Sequence, residues 1–208
     1  MFKTKVFLPA IGGNSMTQIN VMLVEDDPVW EDCLSSFIER ERDLNVVSCA
    51  PSKEAAIKAY KENNVDVALV DVMLSPNECD GLDTALELKQ LGLSNIIMLT
   101  ALNDKEIILD AFDKGAVNYI TKTSYRDIPR AVREAFGDNP GIHPDASAVL
   151  IAELKKERKL KYILTPTERE VYDLREKGMN KTEIAKVLFK SVETVKKQIK
   201  QIQVKIKG

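Results

Sequence analysis

Apolar residues follow two different spacings along the first two thirds of the chain. Short, nearly continuous apolar runs rich in β-branched residues are typical of strands that are buried on both faces. The segments between these runs repeat apolar residues every three or four positions, which is the spacing of an amphipathic helix. Strands are therefore predicted at 19–24, 45–50, 66–71, 95–100 and 117–121, and helices at 28–41, 52–64, 81–92, 103–115 and 124–136.

The regular alternation of five strands with five helices predicts a parallel sheet with helices on both faces. The expected fold class is α/β, a doubly wound, flavodoxin-like sheet with strand order 2-1-3-4-5. Helix ends are indicated by Ser52 as an N-cap, by an Asn-x-x-Glu capping pattern that begins at Asn103, and by Gly115. Pro129 is expected to interrupt the first turns of the fifth helix.

A break rich in glycine and proline at 137–145 separates this pattern from a different one. After a linker helix predicted at 146–160, capping residues at Thr165, Asn180 and Ser191 each begin a short helix. Three helices joined by tight turns predict a small all-α helix-turn-helix domain. The predicted boundaries are 1–17 for an N-terminal extension, 18–137 for the first domain, 138–162 for a linker and 163–208 for the second domain.

Composition and charge narrow the class of protein. A content of 44% hydrophobic and 30% charged residues is ordinary for a soluble protein. A helix needs about 20 consecutive apolar residues to span a bilayer, and no apolar run in the sequence is close to that length. The N-terminus lacks the apolar core of a signal peptide, so we expect a cytoplasmic protein. Residues 1–150 hold 14 basic and 24 acidic side chains, a net charge of −10. Residues 151–208 hold 16 basic and 8 acidic side chains, a net charge of +8. A basic domain suggests a nucleic-acid surface, although charge alone fits a solvated lysine-rich helix equally well.

Cysteine and histidine suggest no metal chemistry. Cys33, Cys49 and Cys79 are widely spaced, so neither a zinc site nor a disulfide framework is expected, and their thiols are expected to pack in the interior. Cys33 lies at helical spacing with Val29 on the predicted apolar face of the first helix. His143, the single histidine, is expected to be a linker residue.

Polar side chains follow four of the predicted strands. Glu25 and Asp26 end the first strand, Asp71 ends the third, Thr100 ends the fourth, and Lys122 follows the fifth. In a doubly wound sheet the carboxyl ends of the strands form the ligand site, so these side chains are expected to converge. Neighbouring carboxylates repel each other unless a cation joins them, and Mg²⁺ prefers carboxylate and phosphate oxygens.

These groups suit phosphoryl transfer to an aspartate. One carboxylate can act as the nucleophile while the Lys122 ammonium and the Thr100 hydroxyl contact the transferred oxygens. Neither a G-x-G-x-x-G nor a G-x-x-x-x-G-K-[ST] loop is present, so a bound nucleotide is not expected. An aspartyl phosphatase is disfavoured because Met73 occupies the position of its usual second acid.

Four motifs make the first domain resemble the receiver domains of two-component systems over about residues 18–137. They are VEDDP (24–28), VALVDVML (67–74), IIMLTA (96–101) and YITK (119–122). The resemblance implies that Asp71 takes a phosphoryl group from a phosphohistidine of a sensor histidine kinase. It also implies that Mg²⁺ is bound by Asp26, by Asp71 and by the backbone carbonyl of Met73, with Glu25 acting through water.

The resemblance further implies that Thr100 and Tyr119 are a switch pair: Thr100 moves onto the phosphoryl group and Tyr119 follows it inward. From the sequence alone, a half-buried strand aromatic explains Tyr119 equally well. One departure from the family pattern is visible at 72–81, where about two extra residues displace Pro76 and the Asp-Gly pair that follows. The metal site is expected to survive this insertion, whereas the lip of the cleft and the kinase-docking surface are expected to differ.

Residues 164–202 resemble the LuxR-type helix-turn-helix of NarL/FixJ regulators through the LTPTERE opening, the Ile-Ala pair at 184–185 and the Thr-Val-Lys at 194–196. The resemblance implies a recognition helix that begins near Ser191 or Val192 and enters the major groove. Phosphate contacts are expected from the lysines, and base reading is left open among Lys197, Gln198 and Gln201. The predicted DNA-binding residues are Ser191, Thr194, Lys196, Lys197 and Lys200, and the predicted core positions of this helix are Val192, Val195, Ile199 and Ile202.

Together these features predict a DNA-binding response regulator that is phosphorylated on Asp71 by a sensor histidine kinase. It is expected to bind promoter DNA, to form a homodimer when active and to have no membrane partner. No separate enzyme activity is expected, although a receiver can catalyse its own phosphorylation and dephosphorylation. The alternative is a phosphorylation-independent DNA-binding protein whose receiver serves protein contacts.

Overall fold

The chain divides into two compact units, Met1–Ser147 and Ala148–Gly208. The computed structural model describes residues 18–75, 79–101, 104–137 and 141–207. The predicted extension at 1–17, together with Pro76 and Asn103, lies outside the described residues. The predicted domain limits remain predictions, and each unit is described by itself.

The first unit is a parallel sheet of five strands in the order β2-β1-β3-β4-β5, which confirms the predicted fold class. The strands are β1 (Ile19–Val24), β2 (Leu44–Ala50), β3 (Val67–Asp71), β4 (Ile96–Thr100) and β5 (Asn118–Thr121). The helices are α1 (Pro28–Ile38), α2 (Lys53–Glu62), α3 (Asp80–Gln90), α4 (Lys105–Asp113) and α5 (Ile128–Phe136), and a 3₁₀ turn (Lys122–Asp127) precedes α5.

Every residue of β3 and β4 is buried, because helices cover both faces of the sheet. On one face, alternate strand residues such as Leu69 and Ile97 pack with Leu34 and Ile38 of α1 and with Val132 of α5. Apolar runs without polar alternation follow from burial on both faces.

The starts of α4 and α5 differ from the sequence prediction by two residues or more. Helix α4 is capped by Asp104, whose carboxylate accepts the amides of Glu106 and Ile107, so the predicted cap at Asn103 was wrong by one residue. Helix α5 begins at Ile128 after the 3₁₀ turn, so Pro129 does not interrupt it. Proline is tolerated in a first helical turn because amides there have no intrahelical acceptor, so the absence of an amide hydrogen costs no hydrogen bond.

The expected burial of the cysteines was wrong: Cys33, Cys49 and Cys79 are all exposed. Helix α1 is also shorter than predicted, and Val29 on its predicted apolar face is 71% exposed. Only Leu34 and Ile38 of this helix are fully buried, so the contact with the sheet is narrower than the apolar pattern indicated.

The second unit is all-α, which confirms the predicted helix-turn-helix. It contains most of α6 (Pro144–Ile163) together with α7 (Pro166–Glu176), α8 (Lys181–Val187) and α9 (Val192–Lys207). Val195 and Ile202 of α9 are buried in its core beside Ile184, and Val192 and Ile199 pack against them, as predicted. In the part of the chain that the structure describes, no helix combines the length and apolar character needed to cross a membrane.

Among the described residues, four helices end with a residue of positive φ, after which the next amide bonds back to a carbonyl of the last turn. This C-terminal motif usually places glycine at the positive-φ position, because a side chain is strained there. At the turn between α8 and α9 the position is instead taken by Phe189, with φ 53° and a side chain that is 97% exposed. The other three are Gly92, Gly115 and Gly178.

Replacing Phe189 by glycine is expected to stabilise the second unit by up to about 1 kcal/mol. The left-handed conformation costs an L-residue about 1–2 kcal/mol, and the freedom of glycine in the unfolded chain removes about 0.5–1 kcal/mol of that gain. Because the ring of Phe189 is exposed, its removal loses little buried apolar surface. Scanning calorimetry of the full-length variant should show the unfolding transition of the second unit at a higher temperature than in the wild type. Phe189→Ala, which keeps the strained conformation, should show no such increase, and a lower transition temperature for the glycine variant would contradict the interpretation.

Candidate functional site

The carboxyl ends of the central strands bring three carboxylates together. Glu25 follows β1, Asp71 ends the neighbouring strand β3, and both are buried, with 3% and 6% exposed. Asp26 is exposed at the mouth of the same cleft. One oxygen from each carboxylate lies within 4.8 Å of the others. The adjacency predicted from strand order is therefore present in the fold.

The ammonium of Lys122 enters this group from the end of β5. Its Nζ atom lies 2.6 Å from Asp71 Oδ2 and 2.7 Å from Glu25 Oε2. Burial by itself lowers the pKa of Lys122, but the hydrogen bonds with Asp71 and Glu25 outweigh it and raise the pKa. The indole ring of Trp30 lies 5.3 Å from the same ammonium. Lys122 is thus held as a cation against the carboxylate that the sequence marks as the acceptor.

One ammonium does not balance the charge of this cluster. Burial, with a smaller contribution from the negative charge of Asp71, raises the pKa of Glu25 to about 7 against the opposing effect of Lys122. The direction of the shift indicates that the ammonium of Lys122 does not offset the burial of the Glu25 carboxylate and its repulsion by Asp71. A divalent cation with oxygen ligands would supply further positive charge, so the donor set fits Mg²⁺.

On both sides of 76–78, described residues after β3 lie close to the end of that strand. The amide of Met73 donates to Asp71 Oδ1 at 3.3 Å, and the amide of Leu74 donates to Asp80 Oδ1 at 2.9 Å. A Cβ atom added to Gly81 would lie 1.7 Å from the carbonyl oxygen of Asp71, so only glycine fits at this start of α3. The displaced Asp-Gly pair therefore ties the loop back to the site.

Thr100 and Tyr119 are adjacent and buried, with 1% and 0% exposed. Their hydroxyl groups are hydrogen-bonded, and burial raises the pKa of Tyr119 to about 12. The aromatic side chain is therefore inside the fold, deeper than the half-buried position that the sequence left open.

Helix α9 presents the predicted DNA-binding residues on one exposed surface. Lys196, Lys197 and Lys200 line a groove together with Glu193 and Thr194. Ser191 caps this helix: its Oγ accepts the amide of Thr194 at 3.1 Å and lies 2.7 Å from the Thr194 hydroxyl. Both hydroxyls thus have a structural role at the start of the helix, and a contact with DNA by either remains a prediction.

A comparison with protein families assigns residues 21–133 to the response regulator receiver domain. The match covers more than half of the chain. It includes the predicted site residues of the first domain, which are Glu25, Asp26, Asp71, Thr100, Tyr119 and Lys122. The chain belongs to the response regulator family.

Curated relatives of this response regulator extend over both units. Response regulator protein VraR of Staphylococcus epidermidis is 30% identical over 190 residues, which cover 90% of each chain. Transcriptional regulatory protein LnrK of Bacillus subtilis is 29% identical over 197 residues, covering 88% of this chain and 89% of LnrK.

Solved structures agree with this architecture. RcsB from Salmonella enterica serovar Typhimurium, bound to a promoter in the presence of the phosphomimetic BeF₃⁻, has a TM-score of 0.60 and 26% identity, and the match covers 90% of this chain and 91% of RcsB.

Sequence reasoning missed several residues beside β5 of the regulator. His143 is a linker residue as expected, yet it is buried, and its Nε2 lies 3.1 Å from Asp127 Oδ2. Asn118 and Thr121 of β5 bond to the same linker segment. The single histidine between two prolines was the one available signal, because polar residues at strand edges and in turns are otherwise common.

Proposed function

We propose that this response regulator accepts a phosphoryl group on Asp71 from a sensor histidine kinase and then regulates transcription by binding promoter DNA. The observation that carries the proposal is the buried Asp71 carboxylate with the Lys122 ammonium 2.6 Å away, beside Glu25 and Asp26 at the carboxyl ends of β1 and β3. A cytoplasmic location, a kinase partner and an active homodimer belong to the same proposal.

In the transfer, one carboxylate oxygen of Asp71 attacks phosphorus and forms the new P–O bond. The P–N bond to the donor imidazole breaks, and its electron pair leaves with the imidazole. During this exchange the Lys122 ammonium shifts from the Asp71 carboxylate toward the transferred oxygens, where its charge stabilises the transition state. The receiver thereby catalyses its own phosphorylation, and attack of water at phosphorus would release inorganic phosphate and restore the Asp71 carboxylate.

Asp26, Asp71 and the backbone carbonyl of Met73 are the groups proposed to hold Mg²⁺, with Glu25 acting through water. The bound ion would offset the negative charge of the incoming phosphoryl oxygens. The grouping of three carboxylates around one ammonium supports this assignment, because a further cation would offset the remaining negative charge.

The phosphoryl group is proposed to act on the protein through Thr100 and Tyr119. A group with about two negative charges at neutral pH attracts the Thr100 hydroxyl, which is hydrogen-bonded to Tyr119. Moving one hydroxyl therefore changes the partner of the other. Phosphorylation would shift the population between two arrangements of the Thr100–Tyr119 face, and so change dimerisation or release the basic domain.

The output surface is proposed to be the exposed face of α9. Its three lysines would contact backbone phosphates, which gives affinity and salt dependence. The related RcsB has been solved in complex with DNA and as dimers bound to DNA, which supports an output of this kind.

The test is to incubate the full-length protein with a small phosphodonor and Mg²⁺ and to measure intact mass and DNA affinity in the same samples. We expect the mass of one phosphoryl group to be added and the affinity for promoter DNA to rise by about tenfold, within the usual range of coupling. If no phosphoryl mass is added, the proposed chemistry is wrong. Full phosphorylation with unchanged DNA affinity would instead favour the phosphorylation-independent regulator.

A further inference from the structure

Strand β5 lies at the edge of the sheet, and two of its amides are covered by side-chain oxygens. The amide of Tyr119 donates to Asn118 Oδ1 at 2.9 Å, and the amide of Thr121 donates to Asp145 Oδ2 at 2.9 Å. Alternate amides of a parallel strand point to its two sides, so an edge strand leaves such donors open unless something covers them.

The oxygen that covers the Thr121 amide belongs to a short segment of the linker, Gly141–Asp145, which we name the linker latch. Asn118 holds one end of it: the side-chain amide donates to the Gly141 carbonyl at 2.8 Å, and Oδ1 accepts the His143 amide at 2.9 Å. Thr121 holds the other end, where its hydroxyl donates to Asp145 Oδ2 at 2.8 Å. Burial by itself raises the pKa of Asp145, but hydrogen bonds from Thr121 outweigh it and lower the pKa, so the latch carboxylate is ionised.

The imidazole of His143 connects the latch to the 3₁₀ turn that follows β5. It is 6% exposed, and its Nδ1 accepts the Asp145 amide at 3.2 Å. Nδ1 also lies 3.2 Å from Asp145 Oδ2, and Nε2 lies 3.1 Å from Asp127 Oδ2. Asp127 is the last residue of the 3₁₀ turn that begins with Lys122. The latch therefore bonds on both sides of the segment that carries Lys122.

Residues that hold the latch are direct neighbours of residues of the phosphoryl site. Asn118 precedes Tyr119, whose hydroxyl is bonded to Thr100, and Thr121 precedes Lys122, which contacts Asp71. A shift of Tyr119 or of Lys122 therefore moves the backbone that binds the latch.

The latch also contains the start of helix α6. This helix begins at Pro144, and Asp145 lies in its first turn. Protection of the edge strand by itself would not require a buried imidazole, an ionised carboxylate and a helix start in the same five residues.

We propose that the linker latch senses the phosphorylation state of Asp71 through β5 and passes it to the first turn of α6. In the unphosphorylated protein the latch is closed. When Thr100 and Lys122 move toward the phosphoryl oxygens, the end of β5 shifts and the bonds between Thr121 and Asp145 loosen. The inference rests on the proposed phosphorylation of Asp71.

Hydrogen exchange of the full-length protein tests the latch directly, with beryllofluoride and Mg²⁺ as the phosphoryl mimic. We expect exchange in peptides that contain Thr121 and residues 141–147 to become about fivefold faster or more, the lower end of usual coupling. Peptides from β2 and α2, which contain no residue of the cleft or of the latch, are the internal reference. Unchanged or slower exchange in the latch peptides would overturn the proposal.

A variant isolates the signal from the chemistry. Asp145→Ala removes the acceptor for Thr121. The variant should be phosphorylated to the wild-type extent, measured by intact mass. The ratio of its DNA affinities with and without phosphorylation should fall toward one. Asp145→Asn keeps an acceptor oxygen and should restore most of that change. Asp113→Ala, which removes an exposed carboxylate of α4 outside the latch, is the matched control and should behave as wild type.

The outcomes separate the two proposals. If the wild type gains no phosphoryl mass, the proposed function fails. If it gains the mass but Asp145→Ala responds to phosphorylation as the wild type does, only the latch is overturned. Should Asp145→Ala fail to fold by circular dichroism, hydrogen exchange of the wild type decides.

Discussion

Replacing Asp71 by asparagine is expected to abolish phosphoryl incorporation. The amide oxygen of asparagine lacks the negative charge that makes the carboxylate a nucleophile. The variant should still fold, because asparagine has nearly the same shape and its carbonyl oxygen can accept the Met73 amide that Asp71 Oδ1 accepts at 3.3 Å. Intact mass spectrometry after incubation with a small phosphodonor and Mg²⁺ measures the loss.

The matched control for this variant is Asp113→Asn, the same chemical change at an exposed position of α4. It should incorporate one phosphoryl group at the wild-type rate. Phosphoryl mass that persists in Asp71→Asn would mean that another side chain is the acceptor, and peptide mapping would then identify it.

The convergence of the cleft residues could be predicted because it depends only on strand order. Once 66–71 and 95–100 are interpreted as parallel strands, Asp71 and Thr100 must end at the same edge of the sheet. Strand order, in turn, follows from the alternation of strands and helices together with right-handed connections. The type of each side chain at a strand end was therefore sufficient to propose the chemistry.

The latch could not be predicted because its bonds join residues that are distant in sequence and ordinary in type. Asn118 and Gly141 are 23 residues apart, and asparagine and glycine are frequent in turns. The same limit applies to the exposed Cys33 of α1: an apolar repeat gives the direction of a helix face, whereas the width of the buried stripe depends on how the helix lies on the sheet.

The double variant Lys196→Ala, Lys197→Ala is expected to weaken DNA binding and to lower its salt dependence. Each lysine at a phosphate releases about one counterion, so the slope of log affinity against log salt should fall by about two. Lys196 should contribute less than Lys197, because its ammonium lies 3.3 Å from Glu193 and must leave that carboxylate to reach a phosphate. Fluorescence anisotropy over a range of salt concentrations measures both quantities.

The comparison that decides the role of these lysines is Lys155→Ala, Lys161→Ala, which removes the same charge from exposed positions of α6. General attraction between a basic protein and DNA would make the two double variants equally weak. Screening at physiological salt limits an exposed charge to about 8 Å, so only lysines close to a phosphate should change the slope. An unchanged slope for the α9 variant would remove Lys196 and Lys197 from the DNA interface and assign their charge to diffuse attraction.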